Sequence, residues 1–347
     1  MDYFLPLFLI VCSFIAILWW FSALEYVGGV AGVGNFLAVF FGVRIDWLRR
    51  QREKLRKEHK ETLEFIQNEI TRVYNGRMDP SGRIFAKYCR LFEVRATAQD
   101  VDVGAFHEKQ MKLQAGRRAA GLRIPGLLKK LNIDMTYNSN AIEGNPISYR
   151  ETKIILAGFV GPRRRSVRHV HDIIGHGAAF EEVQRLAAIL GNSQVSIDQV
   201  KKVHELVMFG SKDGGVFRKE GEIAVITATK VLLAMPDETE ALVRRLLTWL
   251  SNNSDVHPFV LAVTFHYIFV RIHPFRDGNG RTARLLSNLI LMQHGYPPIV
   301  VPLGAKNQYM ASLQQWNKGD PGPFSLLMAN LLHKSFDLYF SSLRIQN

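Results

Sequence analysis

The densest run of chemistry-bearing side chains lies at residues 273–284, HPFRDGNGRTAR, which brings together an imidazole, a carboxylate, an asparagine between two glycines, and three arginines, the last two three residues apart. The glycines on either side of Asn279 let backbone N–H groups approach an oxyanion, and a helix starting there adds partial positive charge from its dipole. Phosphate is the natural guest of such a loop. Arg281 and Arg284 lie one helical turn apart and can offer forked donors to phosphate oxygens. Asp277 supplies a hard oxygen ligand, and Mg²⁺ takes one or two carboxylates together with phosphate oxygens. His273, of a residue type with an unperturbed pKa of about 6.5, can take a proton from an attacking hydroxyl at neutral pH. These parts add up to phosphoryl or nucleotidyl transfer.

Two apolar helices are expected to hold the run in place. Residues 257–272, HPFVLAVTFHYIFVRI, have a buried-helix pattern, and residues 281–295 form a second such helix stopped by Gly295 and Pro297. The polar run is then the loop between them. His257-Pro258-Phe259 repeats the first three residues of the run without its glycines or arginines, so it is assigned no chemistry, and His266 reads as a core histidine. Strand-like alternation is scarce outside residues 214–233, GGVFRKEGEIAVITATKVLL, where β-branched residues around Glu222 to Val231 and a Lys-Glu-Gly turn at 219–221 suggest a hairpin. The rest, from about residue 83 to 340, reads as successive amphipathic segments closed by Gly or Pro, with no repeat of about 30–45 residues. A mainly α-helical body with one small β-hairpin is expected.

The run resembles the signature of the Fic family, His-x-Phe-x-Asp/Glu-Gly-Asn-Gly-Arg-x-x-Arg, at every fixed position. The similarity continues through GYPPIVVP at 295–302 toward Phe324 and back to the hairpin. It implies a Fic-type helical bundle that uses ATP, with Mg²⁺ or Mn²⁺, to transfer AMP to a Ser, Thr or Tyr hydroxyl of a protein. Carried onto this sequence, His273 is the general base, Phe275 anchors the loop, and Asp277 holds the metal. Gly278, Asn279 and Gly280 cradle phosphates, Arg281 and Arg284 take the outer ones, and Thr282 and Ala283 complete the nucleotide-binding stretch. Asn317 matches an adenine-contacting position, although Met310 stands here at the neighbouring position that is aromatic in related proteins. Ala224, Val225, Ile226 and Thr227 fall in the flap that clamps ATP and aligns the target segment.

SNAIEGN at 139–145 resembles the Fic inhibitory motif, with Glu143 as its glutamate. A carboxylate paired with Arg284 withholds a donor from the γ-phosphate. In some relatives the same glutamate positions water to remove AMP, so Glu143 is expected as brake and as hydrolytic residue. Two other readings stand beside this one: a tethered nucleotide-binding module without turnover, and a Fic enzyme transferring a different phosphate-bearing group.

The bulk numbers are compatible with this. The chain has 347 residues, of which 47% are hydrophobic and 22% charged, the balance of a folded protein with a buried core. Its charge of +13 is uneven, with eight Lys or Arg at 44–60 and a cluster at Arg163, Arg164, Arg165 and Arg168. Neither cluster has the interleaved aromatics of a nucleic-acid groove, so nucleic acid is not expected as a partner. Cys12 and Cys89 provide neither a disulfide framework nor a metal cluster. Residues 3–24 carry no charge and are long enough to span a bilayer, whereas 26–43, with five glycines, is a weaker second segment. The expected organisation is a membrane anchor at 1–43, a basic helical stalk at 44–82, and a Fic domain at 83–340 that includes 139–145. The basic flank favours a cytosolic body, whereas the resemblance favours the endoplasmic reticulum lumen, where the sequon at Asn252 would matter. Relatives with an anchor carry tetratricopeptide repeats that residues 45–115 do not show. The resemblance also implies homodimers.

Overall fold

The computed structural model describes residues 101–345 apart from 121–122, 159–165, 191–194, 220–224, 227–230 and 235–237. The expected membrane segments, the stalk, both cysteines, Arg163 to Arg165, Ala224 and Thr227 lie outside the described residues. Among the described residues no helix is long and apolar enough to cross a membrane.

The chain runs through α1 (Val103–Ala120), α2 (Arg123–Ile142), α3 (Tyr149–Leu156), α4 (Val167–Leu190) and α5 (Ile197–Val207). A two-stranded hairpin follows, β1 (Val225–Ile226) and β2 (Val231–Leu232), antiparallel with Val225 opposite Leu232 and Ile226 opposite Val231. Then come α6 (Thr239–Asn252), α7 (Pro258–Ile272), α8 (Asn279–Gln293), a short 3₁₀ turn at Leu303–Ala305, α9 (Lys306–Asn317) and α10 (Gly322–Leu343). The mainly helical architecture matches expectation; a hairpin is present in residues 214–233, but both of its strands follow the Lys-Glu-Gly at 219–221 expected as its turn.

α7 and α8 form the centre. In each, twelve of fifteen residues are buried; α7 is apolar around nearly its whole circumference, whereas half of the buried residues of α8 are polar and need partners. α8 packs on α7, α4, α5 and α2, so four helices converge on the loop that joins it to α7. The shell helices are one-sided. In α5, Ile197, Val200, Val203, His204 and Val207 recur at helical spacing and are buried, and Ser196 with Gln199 closes its N-terminus as a capping box. α3 is started the same way by Ser148 and Glu151.

His257 and His266 are structural, as the sequence suggests. His257 caps α7, its Nδ1 accepting from the Phe259 N–H at 3.2 Å, and its Nε2 pairs with the Tyr296 hydroxyl at 2.9 Å. His266 is fully buried, with its Nε2 2.9 Å from the Tyr309 hydroxyl.

Candidate active site

α7 ends at His273, which adopts the left-handed conformation (φ 52, ψ 57), a backbone cost of order 1 kcal/mol for a residue with a Cβ. The turn sends the chain back over the core. Phe275 drops into it, completely buried and stacked on the His204 ring at 3.5 Å with the planes 2° apart. Asn279 then closes the loop on itself, its Oδ1 accepting from the Phe275 N–H at 3.0 Å and its Nδ2 donating to the Phe275 carbonyl at 2.7 Å. Its side chain is therefore internal, which leaves backbone N–H groups to face a ligand. Gly278 caps α8 at φ 75 with no side-chain hydrogen bond, so the first N–H groups of α8 lack the usual partner. A Cβ at Gly278 would also stand 2.9 Å from Met208 Sδ.

Two residues absent from the motif hold this loop. His204 Nδ1 accepts from the Gly215 N–H at 2.9 Å, so its proton is on Nε2 and donates to the Asp277 carbonyl at 2.9 Å. Burial, the first cause, lowers its pKa to about 4 and keeps it in that neutral form. Arg218, also buried, donates from Nε to the His273 carbonyl at 2.7 Å and from Nη2 to the Ala234 carbonyl at 2.6 Å, while its N–H bonds the Pro274 carbonyl at 2.9 Å. It ties the hairpin's exit to the start of the loop.

His273 itself is held neutral. Burial and then the Arg218 charge push its pKa down to about 4, against the opposing pull of Val270's carbonyl, Glu143 and Asp277. A neutral imidazole at pH 7 can accept a proton. Asp277 is half-exposed and lines a cavity of about 720 Å³. One of its oxygens accepts from the Gly278 N–H at 2.6 Å and the other from Arg168 Nη2 at 2.8 Å.

Glu143 meets Arg284 as expected. Arg284 Nη2 donates to Glu143 Oε1 at 2.7 Å, and the arginine side chain is only 3% exposed. The Ser139 carbonyl takes the same Nη2 at 3.0 Å, and Ser139 Oγ takes Nε at 2.9 Å, which gives the first residue of the inhibitory motif a function of its own. Tyr309 OH completes the set at 3.4 Å from Nη1. The carboxylate also covers the loop, because a Cβ at Gly280 would lie 2.5 Å from Glu143 Oε1. Glu143 follows directly on the end of α2, where the dipole of a helix opposes negative charge. Its seat there is held by the arginine.

Arg281 departs from expectation. Its side chain is 4% exposed and points toward α4, where Nη1 donates to Asp172 Oδ1 at 2.9 Å. Three residues apart on a helix means about 60° apart around its axis, and that is enough to give Arg284 the carboxylate of Glu143 and Arg281 that of Asp172. Thr282 and Ala283 are fully buried, so their side chains face the core. Asn317 meets α7, its Oδ1 accepting from Tyr267 OH at 3.3 Å, and Tyr267 stacks on Trp316 at 4.2 Å. Val225 and Ile226 form β1.

Among the described residues no group of three or more His, Cys, Asp or Glu could hold a metal by itself. Asp277, half-exposed at the cavity, is the one carboxylate that the loop itself offers to a cation.

Residues 194–291 match the Fic/DOC family. The chain is 33% identical over 208 residues to "Protein adenylyltransferase Fic" of Drosophila erecta, covering 58% of this chain and 41% of that protein. It is 33% identical over 216 residues to "Protein adenylyltransferase fic-1" of Caenorhabditis elegans, covering 60% and 41%. For the Drosophila grimshawi protein the figures are 31% over 266 residues, 74% and 52%. The chain thus spans about half the length of the curated relatives it matches. Among solved structures, C. elegans Fic-1 superposes with a TM-score of 0.58 at 28% identity, covering 70% of this chain and 74% of that one. A Fic domain containing signaling protein from Bacteroides thetaiotaomicron shares the fold, with a TM-score of 0.62 at 24% identity over 69% of this chain and 99% of that one. The signature loop, the helical fold and the matched segment agree on a Fic/DOC domain that includes residues 194–291 of this chain.

Proposed function

We propose that this protein transfers AMP from ATP to a hydroxyl side chain of a target protein and that Glu143 restrains the reaction. The observation that carries this reading is the Glu143–Arg284 pair lying over Gly280 at the uncapped N-terminus of α8, in the loop that also carries His273 and Asp277. An anion-binding helix start with a removable carboxylate across it is a phosphate site with a brake. The curated relatives named as adenylyltransferases support ATP as the donor.

In this reading, His273 takes the proton of a target Ser, Thr or Tyr as its oxygen bonds to the α-phosphorus. The bond from that phosphorus to the bridging oxygen breaks, and pyrophosphate leaves. The N–H groups of Gly278, Asn279 and Gly280 hold phosphate oxygens, and Arg284, once released by Glu143, takes the outermost. Asp277 holds Mg²⁺ or Mn²⁺, which when bound offsets phosphate charge. Arg168 must leave Asp277 first. The hairpin aligns the target by strand pairing, Asn317 reads the adenine, and Glu143 also orients water for removal of AMP.

The test compares ATP labelled at the α- or the γ-phosphate, incubated with the Glu143→Gly chain and a cell lysate. Protein label from α-labelled ATP alone supports the reading. Label from the γ-position alone, or from neither despite ATP binding, contradicts it.

Residues 3–24 anchor the protein in a membrane, residues 44–82 form its basic stalk, and residues 83–340 are the Fic domain. Eight basic residues at 44–60 favour a body on the cytosolic side. Asn252 is exposed at the end of α6, so a glycosidase-sensitive mass at that sequon would reverse the orientation. Pairing of two copies would loosen the brake, and light scattering of the purified chain tests it.

A further inference from the structure

We infer that Asp172 of α4 is a positioning residue for the metal-binding carboxylate, acting by drawing the Arg281 guanidinium away from Asp277. The inference rests on the nucleotide-transfer reading above. Arg281 faces two carboxylates at once, with Nη1 2.9 Å from Asp172 Oδ1 and Nη2 3.5 Å from Asp277 Oδ1. Its remaining neighbours are neutral, Asn140 Oδ1 at 3.4 Å and Met208 Sδ at 3.7 Å. A guanidinium this deeply buried cannot exchange an acid for water, and a buried charge that loses one partner holds harder to the other. Asp172 therefore decides how much of Asp277 is free for a cation.

The other cation on Asp277 is of a different kind. Arg168 is 72% exposed and can swing into solvent when a metal arrives, which Arg281 cannot do. Only Arg281 needs an alternative acid. Asp172 is held ready for it, because Asn145 Nδ2 donates to Asp172 Oδ2 at 3.3 Å and to the His169 carbonyl at 3.0 Å, while Asn145 Oδ1 accepts from the Ile147 N–H at 3.0 Å. Asp172 and Asp277 line the same cavity of about 720 Å³, together with Arg168, His171, Asp213 and Arg276. Asn145 is also two residues from Glu143. One turn thus reaches both arginines of the motif, Arg284 directly through Glu143 and Arg281 by way of Asp172.

The test uses the full chain as wild type, Asp172→Asn, Asp172→Glu and Asn145→Ala. Mn²⁺ binding to the ADP complex is followed by electron paramagnetic resonance, and metal-free ADP binding by calorimetry. Asp172→Asn keeps the shape and removes the charge, so Arg281 closes on Asp277. Mn²⁺ affinity should fall about tenfold while metal-free ADP affinity stays within about twofold, the former matching a competing interaction of ~1.4 kcal/mol. Asp172→Glu should recover most of the loss, and Asn145→Ala should fall between. Equal loss of ADP and Mn²⁺ affinity would make the pair a structural strut and overturn the inference, as would unchanged Mn²⁺ affinity in Asp172→Asn. A wild-type chain that binds no ADP with or without Mn²⁺ would instead overturn the nucleotide reading on which the inference rests.

Discussion

Replacing Glu143 by glycine should convert a restrained enzyme into an active one, and the size of the effect follows from the contact. The carboxylate accepts a 2.7 Å hydrogen bond from an arginine that is 3% exposed, and is itself 35% exposed. A hydrogen bond to a charged group contributes about 1.5–3 kcal/mol. The carboxylate also sits against the C-terminal dipole of α2, which opposes it by about 0.3–1 kcal/mol. The difference, about 0.5–2.7 kcal/mol, is what an outer phosphate must overcome to reach Arg284, corresponding to a factor of about 2–100. At ATP concentrations below saturation, the initial rate of α-label incorporation by Glu143→Gly should exceed wild type by that factor. Ser139 and Tyr309 remain on Arg284, so the variant should stay folded. Glu143→Gln keeps the volume over Gly280 and removes the charge, and its rate should lie between the two. An unchanged rate in a folded Glu143→Gly chain would refute the brake, and a Gln variant as slow as wild type would show that bulk rather than charge does the blocking.

Three other perturbations test the frame around the loop. His204→Leu leaves the Gly215 N–H and the Asp277 carbonyl without partners, which at about 1–3 kcal/mol each should lower stability to urea by about 2–6 kcal/mol and weaken ADP binding; a loss under 1 kcal/mol would mean the ring only fills space. Asn279→Asp puts a carboxylate oxygen against the Phe275 carbonyl in place of a donor at 2.7 Å, and calorimetry should find ADP affinity reduced more than about tenfold. Acid should unfold the protein through its buried neutral histidines. Burial lowers His204 to about 4 and His266 to about 3, so each contributes stability that is fully present above the unfolded value near 6.5 and is lost as pH falls through that window. Each adds up to ~1.4 kcal/mol per pH unit. Melting temperature should fall between pH 6.5 and 4, and the fall should be shallower in His204→Leu.

The loop and its two flanking helices were legible because their signals are local. An all-apolar helix, a glycine pair and a capping position need only neighbours in sequence, and the start of α8 differs from the expected start by two residues. The Glu143–Arg284 contact was legible through the family motif rather than through any physical pattern, since its partners lie 141 residues apart. What escaped notice was carried by single side chains meeting across the fold. His204 reaches Asp277 over 73 residues, Asp172 reaches Arg281 over 109, and Arg218 reaches His273 over 55. No periodicity marks such a residue. The one available hint was a polar group at an apolar helical position, as His204 is on the buried face of α5. Arg281 shows the converse limit, because helical spacing places two arginines on nearly one face without revealing which neighbouring helix holds the acid.

The central claim is that His273 carries out nucleotidyl transfer at the start of α8. The most direct test is to incubate the full chain with Mg²⁺ and α-labelled ATP as Glu143→Gly and as Glu143→Gly/His273→Ala, after calorimetry has shown that both bind ATP. The account predicts labelled protein with the first and none with the second. Equal labelling by both would contradict it, removing His273 from the chemistry.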